Sequence, residues 1–480
     1  MTPAATPAKH RDEALSSVRE LAQQAFSRAS GSPLREGNAV RLLLDARENY
    51  SAWLEAIAAA ERYVHFETYI FADDPIGRTF ADALIASSER GVRVRVLYDW
   101  LGCLGKASQA FWQRLRAAGV EVRCYNPPRW DAPLAILSRD HRKLVSVDGE
   151  RAFVSGLCVG QEWVGDEARG IAPWRDTGVE LRGPAVAYLE RAFGALWATL
   201  GEPIAEAQPV ASLPRGNVAV RVVASEPSSA GMLRIDQLVA TLATQRLWLS
   251  DPYYAGTAPY MQALSAAVKD GVDVRVLVPG TTDVPLLKPL SRTGYRALLE
   301  VGVRVFEWNG TMMHAKTAVA DDRWARVGST NLNLASWIGN YELDVLIEDE
   351  AFARCMADAY LADLENATEL VLDGHRKLRA PGRAKPGPSL RHGRGSAGRA
   401  AAGALRIGNA VGAALSHQRV LRVSDARVTA AIGALLIVLA VLVAAFPRVL
   451  AYCAAFLLAW SALILLYNAF KLMRSRVRGA

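Results

Sequence analysis

Cysteine and histidine are both scarce in this chain. Five cysteines are spread over 480 residues, Cys103, Cys124, Cys158, Cys355 and Cys453, and no two form a C-x-x-C pair. An odd number at wide spacing supports neither a disulfide framework nor a zinc site; it is the pattern of reduced thiols in a cytosolic setting. No cluster of Cys, His and carboxylates stands at metal-ligand spacing, so no metal or other cofactor is expected. The opening residues, MTPAATPAKHRDEALSSVRELAQQAF, lack the apolar run of a secretory signal. Instead Leu15, Val18, Leu21, Ala22 and Phe26 space out as one face of a short amphipathic helix, expected to pack on the first domain. Charge of neither sign is lacking. Lys plus Arg number 56 against 48 Asp plus Glu, and the excess gathers in the last hundred residues. That balance suits an anionic partner, nucleic acid or lipid. A hydrophobic content of 51% excludes a chain that is mostly disordered.

What is present is an alternation of strand and helix that occurs twice. Ala39–Leu44 and Tyr63–Phe71 read as strands. A helical stretch over Gly77–Arg90 leads into a strand after Gly91, and a second helix over Gln109–Ala118 leads into GVEVRCYN. This rhythm implies a largely parallel, buried sheet. LIASSERGVRVRVLYDW (84–100) then returns as LSAAVKDGVDVRVLVPG (264–280), and AAGVEVRCYN (117–126) as EVGVRVFEWN (300–309), at offsets of 180 and 183 residues. Repetition at nearly one offset marks a duplicated domain. Pro203, Pro209, Pro214 and Gly216 break the helical pattern between the copies. The resulting division is a helical extension over 1–35, a first α/β domain over 36–205 and a second over 215–372.

After about Gly374 the composition changes. Residues 373–427, rich in Arg, Gly and Pro, read as a disordered basic linker. Val428–Phe446 and Val449–Phe470 are uncharged runs of 19 and 22 residues, separated by Pro447 and Arg448. Each is long enough to cross a hydrocarbon core of about 30 Å as a helix, so 428–470 reads as a transmembrane hairpin rather than a buried helix pair. Arg419, Arg422 and Arg427 precede it and Lys471, Arg474, Arg476 and Arg478 follow it. The positive-inside rule then puts both ends in the cytoplasm, and the two α/β domains, which carry no export signal, are expected there too.

The chemistry lies in DHRKLVSVDG (140–149) and MHAKTAVADD (313–322). Each has a His, a Lys two later and an Asp seven after the His, and the two histidines are 173 residues apart, close to the offsets of the repeat. At average composition one such pattern arises by chance about 0.03 times in a chain this long. The chain has seven histidines; His10, His375, His392 and His417 fall in tails or linker, His65 on an early strand, and the remaining two in these motifs. In a strand, His and Lys at i and i+2 share a face, so each motif offers an imidazole beside an ammonium. That set suits a phosphodiester, which needs a nucleophile, an acid for the leaving alcohol and fixed positive charge on its oxygens.

The paired motifs resemble the phospholipase D superfamily. The segments around them, FETYIF (66–71), WRDTGVELRGPAV (174–186) and GSTNLNLASWIGNYELDV (328–345), resemble its bacterial cardiolipin synthase branch, over about residues 36–372. The resemblance implies two tandem α-β-α sandwich domains with one active site between them. It also implies phosphatidyl transfer from phosphatidylglycerol to a second phospholipid through a phosphohistidine, with glycerol released. A phospholipase D-type hydrolase or nuclease is the alternative, and the apolar hairpin favours lipid over nucleic acid. Carried onto this chain, His141 is the nucleophile and His314 the acid/base, while Lys143 and Lys316 hold phosphate. Asp148 and Asp321 complete the motifs, although their positions suit structural turns better than catalysis. Ser329 and Asn331 match a phosphate-contacting pair. Asp176, 35 residues after His141, and Glu342, 28 after His314, match acids that orient the imidazoles. The chain departs from the branch at SGLC (155–158), where Cys158 stands in place of an Asn, and at Gly178, where His is common. The partners implied are anionic phospholipids and the inner membrane, with no nucleic acid.

Overall fold

The protein is described by a computed structural model over residues 20–129, 137–205, 213–281, 288–372, 378–379, 459–460 and 462–463. The first half contributes strands β1 (Arg35–Leu44), β2 (Tyr63–Thr68), β3 (Arg93–Asp99), β4 (Glu121–Tyr125), β5 (Leu144–Val147), β6 (Arg151–Ser155) and β7 (Thr177–Arg182). The second contributes β8 (Val218–Ser225), β9 (Arg246–Ser250), β10 (Asp273–Pro279), β11 (Arg304–Trp308), β12 (Thr317–Ala320), β13 (Trp324–Gly328) and β14 (Glu342–Glu348), followed by β15 (Ala367–Leu372) and β16 (Leu378–Arg379). All belong to one sheet, in the order β16-β15-β11-β10-β9-β12-β13-β14-β8-β1-β7-β6-β5-β2-β3-β4. Outward from the β1–β8 junction, both halves therefore run through equivalent strands. The junction is antiparallel, with Asn38 opposite Val218 and Arg35 opposite Val220, the direction a two-fold relation between the copies requires.

The sheet is mixed, not largely parallel. Parallel pairs occur where a helix crosses between strands, at β2/β3/β4 and β9/β10/β11. The hairpins β5–β6 and β12–β13, which follow the His-x-Lys segments, are joined by turns too short for a crossover and so pair antiparallel. The helix read at Gly77–Arg90 spans Pro75–Glu89. Asp74 caps it by accepting from the Gly77 N–H at 2.9 Å, Pro75 opens its first turn, and Phe80, Ala81 and Leu84 are buried. Burial of a side chain the size of Leu84 contributes about 1.5–3 kcal/mol. The glycine that precedes each repeated Val-x-Val strand has a reason to recur. Gly91, Gly119, Gly271 and Gly302 all have φ near +90°, closing a helix where a Cβ would be strained.

One core spans both copies. Val179, Leu181, Phe193 and Leu196 of the first half share it with Val220, Trp248, Leu343 and Met356 of the second. The N-terminal helix, described over 20–30, packs on the second half and not on the first. Phe26 and Ala29 enter the core of Met232, Ile235 and Leu247, and the Arg221 guanidinium reaches Ser27 Oγ and Gln23 Oε1. Leu15 and Val18 lie outside the described residues. Within the segment read as a linker, Leu378–Arg379 form β16 against β15; the rest of it is not among the described residues. Nor are the two apolar runs, apart from four helical positions, and no helix of the described residues is long and apolar enough to cross a membrane.

Candidate active site

The two motif aspartates serve the fold. Each sits at the turn after its short strand with φ near +50°, at 56° for Asp148 and 51° for Asp321. The Asp148 carboxylate accepts from the N–H groups of Glu61, Arg62 and Tyr63 at 2.7–2.9 Å. Asp321 does the same for Thr244, Gln245 and Arg246 at 2.8–2.9 Å. These bonds lock β5 to β2 and β12 to β9, and leave both carboxylates committed to backbone. The two aspartates, which complete the motifs in sequence, thus set the register of the segment that carries His and Lys.

That segment is an extended lead just ahead of each strand. His141 N–H donates to Tyr341 O at 2.9 Å and His314 N–H to Arg175 O at 2.7 Å, and parallel bridges join Asp140 to Tyr341 and Met313 to Arg175. Each histidine is thereby sewn to the residue preceding the orienting acid of the other half. His141 Nδ1 meets Glu342 Oε2 at 2.9 Å, and His314 Nδ1 meets Asp176 Oδ2 at 2.8 Å. The acids therefore act across the duplication, although each follows the other histidine in sequence. An ionised carboxylate only accepts, so Nδ1 carries the proton and Nε2 keeps its lone pair. Lys143 Nζ and Lys316 Nζ each donate to the carbonyl of the histidine two residues earlier, and Lys316 Nζ lies over the His314 ring edge, 2.9 Å from Nδ1 and 3.1 Å from Nε2, of which only Nε2 can accept while Nδ1 holds its proton toward Asp176. Both histidines, both lysines and both acids are buried.

Burial sets the protonation of the group. Desolvation pushes the His141 imidazole down to about 4 against the pull of Glu342, and desolvation together with Lys316 pushes His314 down to about 3. Desolvation also lowers Lys316 to about 8. Burial alone would raise Asp176 and Glu342, but the facing histidines and lysines hold both below the usual carboxylate range. At neutral pH the site thus contains two uncharged imidazoles, with the Nε2 of His314 facing Lys316 Nζ. Lys316 still carries its proton there, within hydrogen-bond reach of His314. Activity should accordingly form a plateau between about pH 4, where His141 protonates, and about pH 8, where the Lys316–His314 pair loses its proton. Rates fall tenfold per unit outside it. The pH profile of kcat/KM on dispersed lipid checks this, and a limb at the ordinary imidazole value of 6.5 would contradict it.

Other expected residues divide. Ser329 Oγ donates to Glu342 Oε2 at 2.5 Å and accepts from Leu343 N–H at 2.9 Å, so its hydroxyl is spent on the acid that holds His141. Asn331 keeps its Oδ1 buried and without a partner, while its amide reaches Ser336 Oγ at 3.3 Å. Cys158 is buried in the first-half core, and burial pushes its thiol up, against the two lysines. The place a side chain at Gly178 would need is occupied: a Cβ there would lie 2.0 Å from Asn49 Oδ1.

Sequence reasoning missed the walls and the floor. The Tyr69 ring meets His141 edge-on at 5.0 Å and lies beneath Lys143 Nζ; Trp163, Trp174 and Tyr253 surround His314. Behind His141, Glu67 and Asp140 form a buried carboxyl pair with Arg142 nearby, and burial raises both. Glu67 and Tyr69 lie in FETYIF and Trp174 in WRDTGV; an acid and aromatics at the ends of core strands were the available signal. Among the described residues no group of three or more His, Cys, Asp or Glu could hold a metal ion.

The chain matches the family described as "Cardiolipin synthase, PLD-like domain" over residues 53–161 and 239–363, one segment in each half. The fold also resembles the crystal structure of phosphatidylserine synthase from Haemophilus influenzae, with a TM-score of 0.59 at 13% identity, over 74% of this chain and 93% of that one. A repeated α/β fold with paired His-x-Lys motifs defines the phospholipase D superfamily. Among curated relatives, the chain is 33% identical over 363 residues to cardiolipin synthase A of Pseudomonas aeruginosa, covering 74% of this chain and 73% of that protein. It is 32% identical over 345 residues to a cardiolipin synthase of Alkalihalophilus pseudofirmus, covering 70% and 68%. The chain belongs to the cardiolipin synthase branch of that superfamily.

Proposed function

We propose that this protein is a phosphatidyltransferase that makes cardiolipin from phosphatidylglycerol by a two-step exchange at phosphorus. In the first step His141 Nε2 forms a bond to phosphorus as the phosphorus–oxygen bond to glycerol breaks, and the departing oxygen takes a proton that Lys316 passes to it through His314 Nε2. In the second step the acceptor hydroxyl gives its proton back to His314, its oxygen attacks phosphorus, and the phosphorus–nitrogen bond breaks. Lys143 and Lys316 carry the charge of the non-bridging oxygens, and Asn331 offers a further polar contact. The observation that carries this reading is the pair of buried imidazoles, each with Nδ1 held by a carboxylate and Nε2 left with its lone pair, beside two lysines. Mass spectrometry of lipids after incubating the purified protein with phosphatidylglycerol, with and without phosphatidylethanolamine, tests it. Cardiolipin and free glycerol are expected. Phosphatidic acid as the sole product would make the protein a hydrolase.

Val428–Phe446 and Val449–Phe470 would anchor the enzyme in the inner membrane, with its catalytic halves in the cytoplasm. The basic segment ahead of them would lie along the anionic leaflet, at about 1 kcal/mol per basic residue near the surface. Ending the chain after Asp373 removes none of the site. The truncated protein should leave the membrane fraction and keep its turnover of detergent-dispersed lipid, while its rate on bilayers falls by about 100-fold or more as the tether's effective concentration is lost. Equal bilayer rates for the two forms would rule out a catalytic benefit from the anchor. A folded but inactive truncation would make the C-terminal segment part of the working architecture.

A further inference from the structure

The duplication includes a pair of tryptophans that now do different work. Trp163-Val164-Gly165 and Trp337-Ile338-Gly339 stand 174 residues apart, close to the 173 that separate the histidines. Both indoles are fully buried. The Trp337 Nε1–H donates to Asp236 Oδ2 at 2.9 Å, and Asp236 is paired with Arg326 at 2.7 Å in the second-half core. The Trp163 Nε1–H donates at 3.0 Å to Asp176 Oδ2, the oxygen that meets His314 Nδ1. The Trp163 ring also stands edge-on to the imidazole, at 5.5 Å and 88°, and packs on Trp174 at 4.9 Å.

The other acid is served differently. At Glu342 the extra donors are Ser329 Oγ and the Asn340 amide. The residue equivalent to Ser329 in the first half is Gly156, where a Cβ would lie 2.1 Å from Asp176 Oδ1. A serine therefore cannot serve Asp176 from that position, and the indole reaches it from another side. The two halves have exchanged a hydroxyl for an indole, and only one of the two repeated tryptophans points at the reaction centre.

We propose that Trp163 is a positioning residue for the transfer reaction: its indole N–H fixes Asp176 so that His314 is held with Nδ1 protonated and Nε2 aimed at the oxygen of the alcohol. An indole N–H donates and never accepts, so it pins the carboxylate without competing for the imidazole proton. This inference rests on the reading of His314 as a working acid/base.

Three variants of the full-length enzyme test it on phosphatidylglycerol bilayers. They are Trp163→Phe, a variant with 3-benzothienylalanine at 163, which keeps the ring shape and lacks the N–H, and Trp337→Phe. Both changes at 163 should lower kcat by about 10–100-fold with KM little altered, the usual cost of freeing a group that orients a working imidazole. They should also move the pH limb set by the Lys316–His314 pair, and add little further loss in an Asp176→Asn background, because the shared hydrogen bond is already gone. Trp337→Phe should lower the melting temperature and leave kcat per folded molecule and the pH profile unchanged. A benzothienyl variant with wild-type kcat and pH profile, beside an inactive His314→Ala, would overturn the role of Trp163 and leave the two-histidine reading intact. An active His314→Ala would remove both.

Discussion

His141→Ala and His314→Ala each lower turnover by about 10,000-fold or more while leaving a folded protein, and the double variant is no slower than either single one. The magnitude is that of removing one member of a catalytic unit whose parts work only together. Non-additivity follows because attack at phosphorus and protonation of the leaving alcohol belong to one step, so losing either partner disables it. Survival of the fold follows from how the acids are held. With His141 gone, Glu342 still accepts from Ser329 and Asn340; with His314 gone, Asp176 still accepts from Trp163 and the Thr177 N–H. Neither carboxylate is orphaned. Each imidazole is uncharged at neutral pH, so its removal takes no charged partner from the carboxylate beside it. A site arranged for function at the expense of stability loses little when a member is removed. Initial rates of cardiolipin formation and thermal melts by circular dichroism check this. Cardiolipin made at a near-normal rate by either purified variant would end the two-histidine mechanism.

The duplication and the four motif residues were legible because they are local: strand and helix periods, glycines needed at positive φ, and two spacings that recur in register. Partnership across the copies was not. Asp176 follows His141 by 35 residues, and chain order suggests that it serves that histidine. Only the bridge of Arg175 to Met313 brings it under His314. The N-terminal helix misled for the same reason. Amphipathic spacing shows that a helix has a face to bury and says nothing of where the face goes; Phe26 found the second-half core. Gly178, read alone, is only a departure from the branch, where His is common. Asn49, 129 residues earlier in the chain, fills the space that a larger side chain there would need. Buried acids such as Glu67 and Asp140 escaped notice because their significance comes from desolvation, which exists only once the sheet has closed over them.

The crossed acids lead to a result that no pairing within halves would give. On phosphatidylglycerol, Asp176→Ala and Glu342→Ala should each lower kcat by about 100- to 10,000-fold, the range found when an imidazole loses the acid that fixes its tautomer. The two variants separate on a phosphodiester whose leaving group, such as p-nitrophenolate, departs without being protonated. The first step then needs the nucleophile and not the acid. Asp176→Ala and His314→Ala should release one equivalent of nitrophenol in a burst and stall. With the base unavailable to activate the incoming alcohol, the phosphorylated enzyme accumulates, and peptide mass spectrometry should find the adduct on His141. Glu342→Ala and His141→Ala should give neither burst nor adduct, because Glu342 holds the His141 Nδ1 proton from 201 residues away in sequence. If each acid served the histidine of its own half, the pattern would invert, with Asp176→Ala losing the burst and Glu342→Ala keeping it. If His314 were the nucleophile, the adduct would lie on His314, and His141→Ala and Glu342→Ala would be the variants that show it. Together the four variants separate the direction of the acid–histidine partnership from the choice of nucleophile.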